Sequence, residues 1–169
     1  MSIKVGLENI VKGEMKGLQF GLKNVAKKLS GVQVGGWNET KIDSYRPNKG
    51  LQLSYFINGS NILYGAQMSV LFNICQEMKG MQASLFNIID DHGRGKAKGV
   101  QFGAMNGSDN MEGVQIGLGN ISDYRMKGVQ FGICNEANEG NYLQIGLWNR
   151  KKGDSWYKGV PFLRYRKEG

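Results

Sequence analysis

The chain has 169 residues, enough for one domain with a buried core, and 26 of them are glycine against two prolines. It has no collagen G-X-Y period and no apolar run near ~20 residues, which excludes collagen and a helical membrane span. Two cysteines and one histidine exclude a disulfide scaffold and a four-cysteine zinc site. The net charge of +8 is concentrated at the two ends of the chain and predicts attraction to phosphates, anionic lipid or an acidic partner.

An internal repeat covers nearly the whole sequence, and its unit reads G-V-Q-F-G-x-x-N. The third position is Gln in nine units, and an Asn closes ten of them. The units begin, in chain order, at Ser2, Gly17, Gly31, Gly50, Gly65, Gly80, Gly99, Gly113, Gly128, Tyr142 and Gly159. Because the repeat extends from one end to the other, we expect a single repeat domain over 1–169, with a basic, aromatic C-terminal segment over 150–169.

Each unit carries one stretch of strand-like alternation. Its second, fourth and sixth positions are apolar, and the third and fifth are Gln and Gly, which is typical of a strand with one buried face. Turn-forming residues separate the strands, and helical spacing is absent. Since only one alternating run occurs per unit, we predict an all-β fold of about eleven strands in an antiparallel meander, curled or closed into a barrel. A parallel β-solenoid is the alternative.

The repeated polar residues have a structural and a functional interpretation. The Gln row predicts amides that bond to one another across neighbouring strands, or else a polar lumen or platform for a ligand. The closing Asn residues are interpreted as turn positions. Cys75 and Cys134 fall in or beside apolar strand positions and predict small buried side chains. Trp37 and Trp148 occupy equivalent seventh positions and predict packing residues.

Two segments carry the candidate binding residues. The glycine-rich loop from Asp90 to Gly99 could cradle a phosphate through its N–H groups and its cations, or could be a solvated hairpin loop. The C-terminal segment interleaves bases with aromatic rings, which suits a nucleotide, or could be a charged edge strand. Strand alternation places its last two arginines on one face, where they repel each other unless an anion or acidic group lies between them. The predicted ligand-binding residues are Arg94, Lys96, Lys98, Arg150, Trp156, Arg164 and Arg166.

The repeat resembles the short glycine–glutamine surface repeat (GxQxGxxN units) of predicted surface proteins of spirochaetes and other bacteria. That resemblance implies an all-β repeat protein and assigns no catalytic residue. His92 beside two aspartates is the only hint of acid–base chemistry. We therefore expect a non-enzymatic binding protein that sequesters an anionic small molecule such as a nucleotide, without cofactor or metal. The alternative is a structural or surface β-repeat protein, similar to a membrane barrel and without a small ligand.

The expected partners and location follow from the same features. A meander of this kind has an open edge with unpaired backbone groups. A homo-oligomer could pair them with the edge of another copy. The basic surplus leaves nucleic acid open as a partner, whereas the lysine-rich turns disfavour a membrane. No secretion leader precedes the first repeat, so the sequence predicts a cytoplasmic protein with reduced cysteines.

Overall fold

A computed structural model describes residues 1–40 and 46–168 and shows ten coils stacked into a parallel β-solenoid. The first ten sequence repeats are the ten coils, and equivalent residues of neighbouring coils lie side by side, as Gln82 does with Gln101 and Gly80 with Gly99. The prediction of an all-β repeat fold is confirmed. The preferred antiparallel meander and closed barrel are wrong, and the solenoid alternative is correct.

The strands follow the repeats, and the three longest continue through the corners of more than one coil. Their bounds are β1 Ser2–Val5, β2 Glu8–Thr40, β3 Asn48–Ser69, β4 Phe72–Ala83, β5 Phe86–Ile89, β6 Lys96–Phe102, β7 Met105–Glu139, β8 Tyr142–Lys151 and β9 Val160–Arg166. One turn of 3-10 helix, Trp156–Lys158, precedes β9, and the described chain contains no α-helix.

Each coil has a long side and a short side. In the coil that begins at Gly65, the long stretch Glu77–Ala83 that leads into the next coil pairs with Lys96–Phe102. The short stretch Phe72–Cys75 pairs with Phe86–Ile89. The short side spans only four residues around the closing Asn. It is too short to show a second run of alternating apolar and polar residues, which a coil with two strands would be expected to have. That brevity is why the sequence favoured one strand per unit.

The glycine that begins eight of the ten coils allows them to stack closely. Gly113 has a φ of 140°, a backbone conformation that other residues rarely adopt. A Cβ added there would lie 2.0 Å from the carbonyl oxygen of Gly99 in the preceding coil. Since that contact is with backbone, no side-chain adjustment could relieve it. Gly113 therefore cannot be replaced by a larger residue, both for conformation and for space.

The alternation within the unit is present, but the buried face is the one that carries Gln. All nine repeat Gln side chains are fully buried, and the repeat Asn side chains are buried with them. The remainder of the interior comes mainly from two positions per coil, two residues before the first Gly and two residues after the Asn. Most of these residues are apolar, although Ser108 and Ser122 are also buried there. Met78, Met111 and Met126 occupy the first of these positions, and Cys75 and Ala137 occupy the second.

The apolar residues at positions four and six of the unit point outward instead of into the core. Phe20, Leu22, Phe102, Leu118 and Phe131 are all exposed. A period-two pattern separates two faces of a strand, but it does not state which face is inside. The amide face is inside here because each amide bonds to its counterpart in the next coil, which removes the usual cost of burying it.

The eleventh repeat does not form a coil. Strand β9 runs antiparallel to β8, with Arg164 opposite Gln144 and Arg166 opposite Tyr142, and closes the C-terminal end of the stack. Its Phe162 has a φ of 68°, so the chain bends sharply inside this strand. The last repeat keeps the strand pattern but lacks both the Gln and the Asn that hold a coil in the stack.

Candidate binding surfaces

Two columns of amides run along the interior and are held by hydrogen bonds between coils. Each Gln from Gln33 onward donates from Nε2 to Oε1 of the Gln in the preceding coil, over 2.7–3.0 Å. Each Asn from Asn9 to Asn135 donates from Nδ2 to Oδ1 of the Asn in the following coil, over 2.8–3.0 Å. The two columns therefore point in opposite directions along the stack.

The amide columns are structural and cannot be a ligand platform. Gln115, for example, also donates to Ser108 Oγ at 3.3 Å and to the Ile121 carbonyl at 3.3 Å, and its Oε1 accepts from Gln130. Asn120 donates to the Phe131 carbonyl at 3.0 Å. These side chains have no solvent-accessible surface. The interpretation of Asn as a turn residue is also wrong, since the repeat Asn residues lie within strands and none has a positive φ.

The glycine-rich loop holds an anion that the protein itself supplies. The buried carboxylate of Asp109 accepts hydrogen bonds from the N–H groups of Asp91, Gly93 and Gly95, each at 2.9 Å. The N–H groups that the sequence suggested for phosphate are therefore already in use. The side chain of His92 is exposed at the tip of the loop, with its N–H bonded to Asp90 Oδ1.

The cations of this loop line a groove that runs along coils four to eight, which we call the basic groove. It has a volume of about 970 Å³, and loop residues 91–94 form one wall. The structure brings Arg94, Lys96 and Lys98 together here, as the sequence predicted. The complete cationic lining is Lys79, Arg94, Lys96, Lys98, Arg125 and Lys127, facing the carboxylates of Glu77, Asp91 and Glu112. The groove thus has an excess of three positive charges.

Some of these cations are paired and others are not. Lys98 Nζ lies 2.9 Å from Glu112 Oε1, and this contact holds the pKa of Glu112 below its ordinary value. Arg94 Nε lies 3.4 Å from Asp91, and Arg125 lies 2.9 Å from Glu168. Within the described chain, no carboxylate lies within 4.0 Å of the Lys96 or Lys127 ammonium. These two lysines are therefore available to an external anion.

Sequence reasoning missed three residues of the groove, namely Lys79, Arg125 and Lys127. They come from neighbouring coils, and the groove exists because parallel stacking places equivalent positions side by side. A signal was present in the sequence, since Lys precedes the first Gly of six units. Those residues are Lys16, Lys49, Lys79, Lys98, Lys127 and Lys158.

The four C-terminal candidates lie together elsewhere and have partners within the chain. Arg150 pairs with Glu136 and lies over the Trp156 ring, 5.6 Å from its centroid. Arg164 pairs with Asp154 at 3.8 Å, and Arg166 donates to the Asn138 carbonyl at 3.0 Å. The two last arginines are half-buried on the same side of β9, and Asp154 is an acidic partner of the first of them, Arg164.

Trp148 packs against Trp156, with ring centroids 5.3 Å apart, whereas Trp37 is exposed. Cys75 is buried and Cys134 is exposed. None of the four C-terminal candidates lines the basic groove. The C-terminal cluster therefore closes the end of the solenoid, and each of its three arginines already has a partner within the chain.

A shallow apolar furrow of about 1190 Å³ runs along coils five to ten. Its two ridges are the outward residues at positions four and six, and its floor is the small residue between them. Phe102 and Leu118 are examples of the ridges and Gly117 of the floor, and Phe162 closes the C-terminal end.

Within residues 1–40 and 46–168, no group of three His, Cys, Asp or Glu side chains is placed to hold a metal ion. No helix in that part of the chain is long and apolar enough to cross a membrane. Comparisons with protein-family models, with curated proteins and with solved structures give no match to this chain.

Proposed function

We propose that this chain is a non-enzymatic binding protein whose basic groove holds an anionic small molecule such as a nucleotide. The observation that carries the proposal is the convergence of six cations from neighbouring coils on one concave surface beside an inserted loop. A lysine or arginine on an isolated strand is usually solvated, whereas a set of them along one groove raises the local concentration of anions.

The size and charge of the groove match a multiply charged organic anion. Binding sites for small molecules have volumes of roughly 300–1,000 Å³, and this groove lies at the upper end of that range. Lys96 lies two residues before Lys98 on the same strand, and Lys127 lies one coil beyond Glu112, whose pKa its charge also lowers. Because both lysines line the groove without an ion pair, a di- or triphosphate chain could contact both. Since Lys binds phosphate as a point charge, such a site attracts the phosphates without fixing one geometry.

The test is calorimetry with ATP, pyrophosphate and inorganic phosphate as probes. We expect saturable binding of ATP that is stronger than binding of inorganic phosphate and that weakens as salt is added. A Lys96→Gln, Lys127→Gln double variant removes the two unpaired ammonium groups and should weaken ATP binding by about tenfold or more. An Arg94→Gln, Lys96→Gln variant should also weaken it.

The matched control is Arg164→Gln with Arg166→Gln, which removes the same charge from the C-terminal cluster and should leave ATP affinity unchanged. If the wild-type protein binds none of the three probes, or if the groove variants bind as the wild type does, the proposal is wrong. Lost affinity in the Arg164, Arg166 variant alone would move the site to the C-terminal segment. A protein without any affinity for anions would favour the structural β-repeat alternative.

A further inference from the structure

The outward residues at positions two, four and six of the nine coils from Gly17 to Leu147 form one continuous surface, which we call the apolar face. None of the first six residues of any of these coils is charged, although the chain has 36 charged residues. Exposed members of the face include Phe102 at 57%, Leu118 at 58% and Leu147 at 61%. Aliphatic and aromatic side chains on this face are therefore left in water along the length of the stack.

The extent of the face is larger than a soluble monomer usually exposes. With coils ~4.8 Å apart and outward residues ~7 Å apart along each strand, nine coils give a surface of roughly 800 Å². Apolar patches on monomers are usually a few hundred Å², and larger ones mark interaction sites. A stable interface between two proteins buries about 800 Å² on each partner. The face alone is thus large enough for one complete interface.

We propose that the apolar face binds the same face of a second copy of this chain and forms a closed, two-fold symmetric dimer. Each coil adds one set of residues to the furrow and its ridges, at the spacing between coils. A second copy of the chain presents side chains at the same spacing. Packed face to face, a ridge of one copy can lie in the furrow of the other, as side chains interdigitate between two packed sheets.

The chemistry of the face favours this occupant. Because the face has no charge, its pairing with itself leaves no buried ion without a partner. A two-fold contact uses the same patch on both copies and closes the assembly, so no further copies are added through this face. The basic groove uses the side chains on either side of Met78 and Met111, outside positions two, four and six, so none of its cations belongs to the apolar face.

The test is the solution mass of the full chain by light scattering and sedimentation velocity. The wild type should have twice the monomer mass of 18.7 kDa at micromolar concentration. Leu118→Asp with Phe131→Asp places a charge on each of two neighbouring coils of the face and should yield a monomer with unchanged far-UV circular dichroism. The control, Ile74→Asp, places one charge at an exposed apolar residue on the short side and should remain a dimer.

Should the double Asp variant fail to fold, Leu118→Gln with Phe131→Gln tests the same contact without a charge and should weaken dimerisation by at least tenfold. A wild-type monomer at high micromolar concentration overturns the proposal. So does a dimer that both face variants retain. A wild-type monomer that co-sediments with uncharged phosphatidylcholine vesicles would instead identify lipid as the occupant. Dimerisation and ATP binding are measured separately, so either can fail without the other.

Discussion

In a single coil the buried side chains are largely polar amides and many of the exposed ones are apolar, which is the reverse of most proteins. Gln115 is fully buried and bonded to the coils on both sides, whereas Leu118, three residues later, is 58% exposed. The comparison shows that a polar side chain can lie inside this fold when it forms the same hydrogen bond to the equivalent side chain of each neighbouring coil. Hydrophobicity alone does not decide the matter, because the amides of a parallel stack satisfy one another at a fixed spacing.

The largest expected loss of stability comes from replacing a glycine at which the backbones of two coils lie close together. Gly113→Ala forces an unfavourable φ and a backbone clash, so we expect a loss of about 4 kcal/mol or more in the free energy of unfolding, or no folded protein. Gly107→Ala is the control, because a Cβ there meets only the Asn87 carbonyl at 4.0 Å. It should change stability by less than about 1 kcal/mol, measured by urea unfolding. Equal effects of the two substitutions would show that the close stacking is not required.

The amide column itself can be broken by an apolar residue of similar size. Gln115→Leu leaves Gln101 Oε1 and Gln130 Nε2 without their mutual partner, and should cost about 2–4 kcal/mol although it makes the interior more apolar. The opposite exchange, Ile74→Gln, lies at an exposed residue on the short side and should change stability by less than about 0.5 kcal/mol. Urea unfolding of both variants tests this, and a neutral Gln115→Leu would contradict the account of the interior.

The reactivity of the two cysteines distinguishes the inside of the fold from the outside without any substitution. Burial raises the pKa of the Cys75 thiol to about 12, so almost none of it is thiolate near pH 8. Cys134 is exposed. We expect a thiol reagent to modify one cysteine per chain in the native protein, Cys134, and the second only after unfolding in urea. Mass spectrometry that finds Cys75 modified in the folded protein would place it outside the core.

Much of this architecture could be predicted from the sequence, because the repeat fixes where each coil begins and which residues recur in columns. The stacking direction could not, since a four-residue short side such as Phe72–Cys75 looks like the loop of a hairpin. The inverted faces were missed for a related reason. Alternation marks both faces of a strand, and only the register of Gln82 on Gln101 shows that the amides bond in a column.

The candidate binding residues differ in the same way in how far the sequence predicts their arrangement. Arg94, Lys96 and Lys98 are close in sequence and were found together, whereas Lys79 and Lys127 join them only through stacking. The charges of Arg150 and Arg164 looked available in the sequence, yet they pair with Glu136 and Asp154. The use of the loop N–H groups could not be predicted, because Asp109, fourteen residues after Gly95, accepts hydrogen bonds from them.

The central claim, that the Gln column is a closed chain of hydrogen bonds inside a parallel stack, is tested most directly by side-chain amide exchange in heavy water followed by nuclear magnetic resonance. Gln76 is an internal reference, since it lies outside the column and its amide makes no hydrogen bond within the described chain. We predict that the Nε2 proton signals of Gln33 to Gln130 persist long after that of Gln76 has vanished. Loss of the column's signals at the rate of Gln76, while backbone amides of the same coils stay protected, would contradict the account.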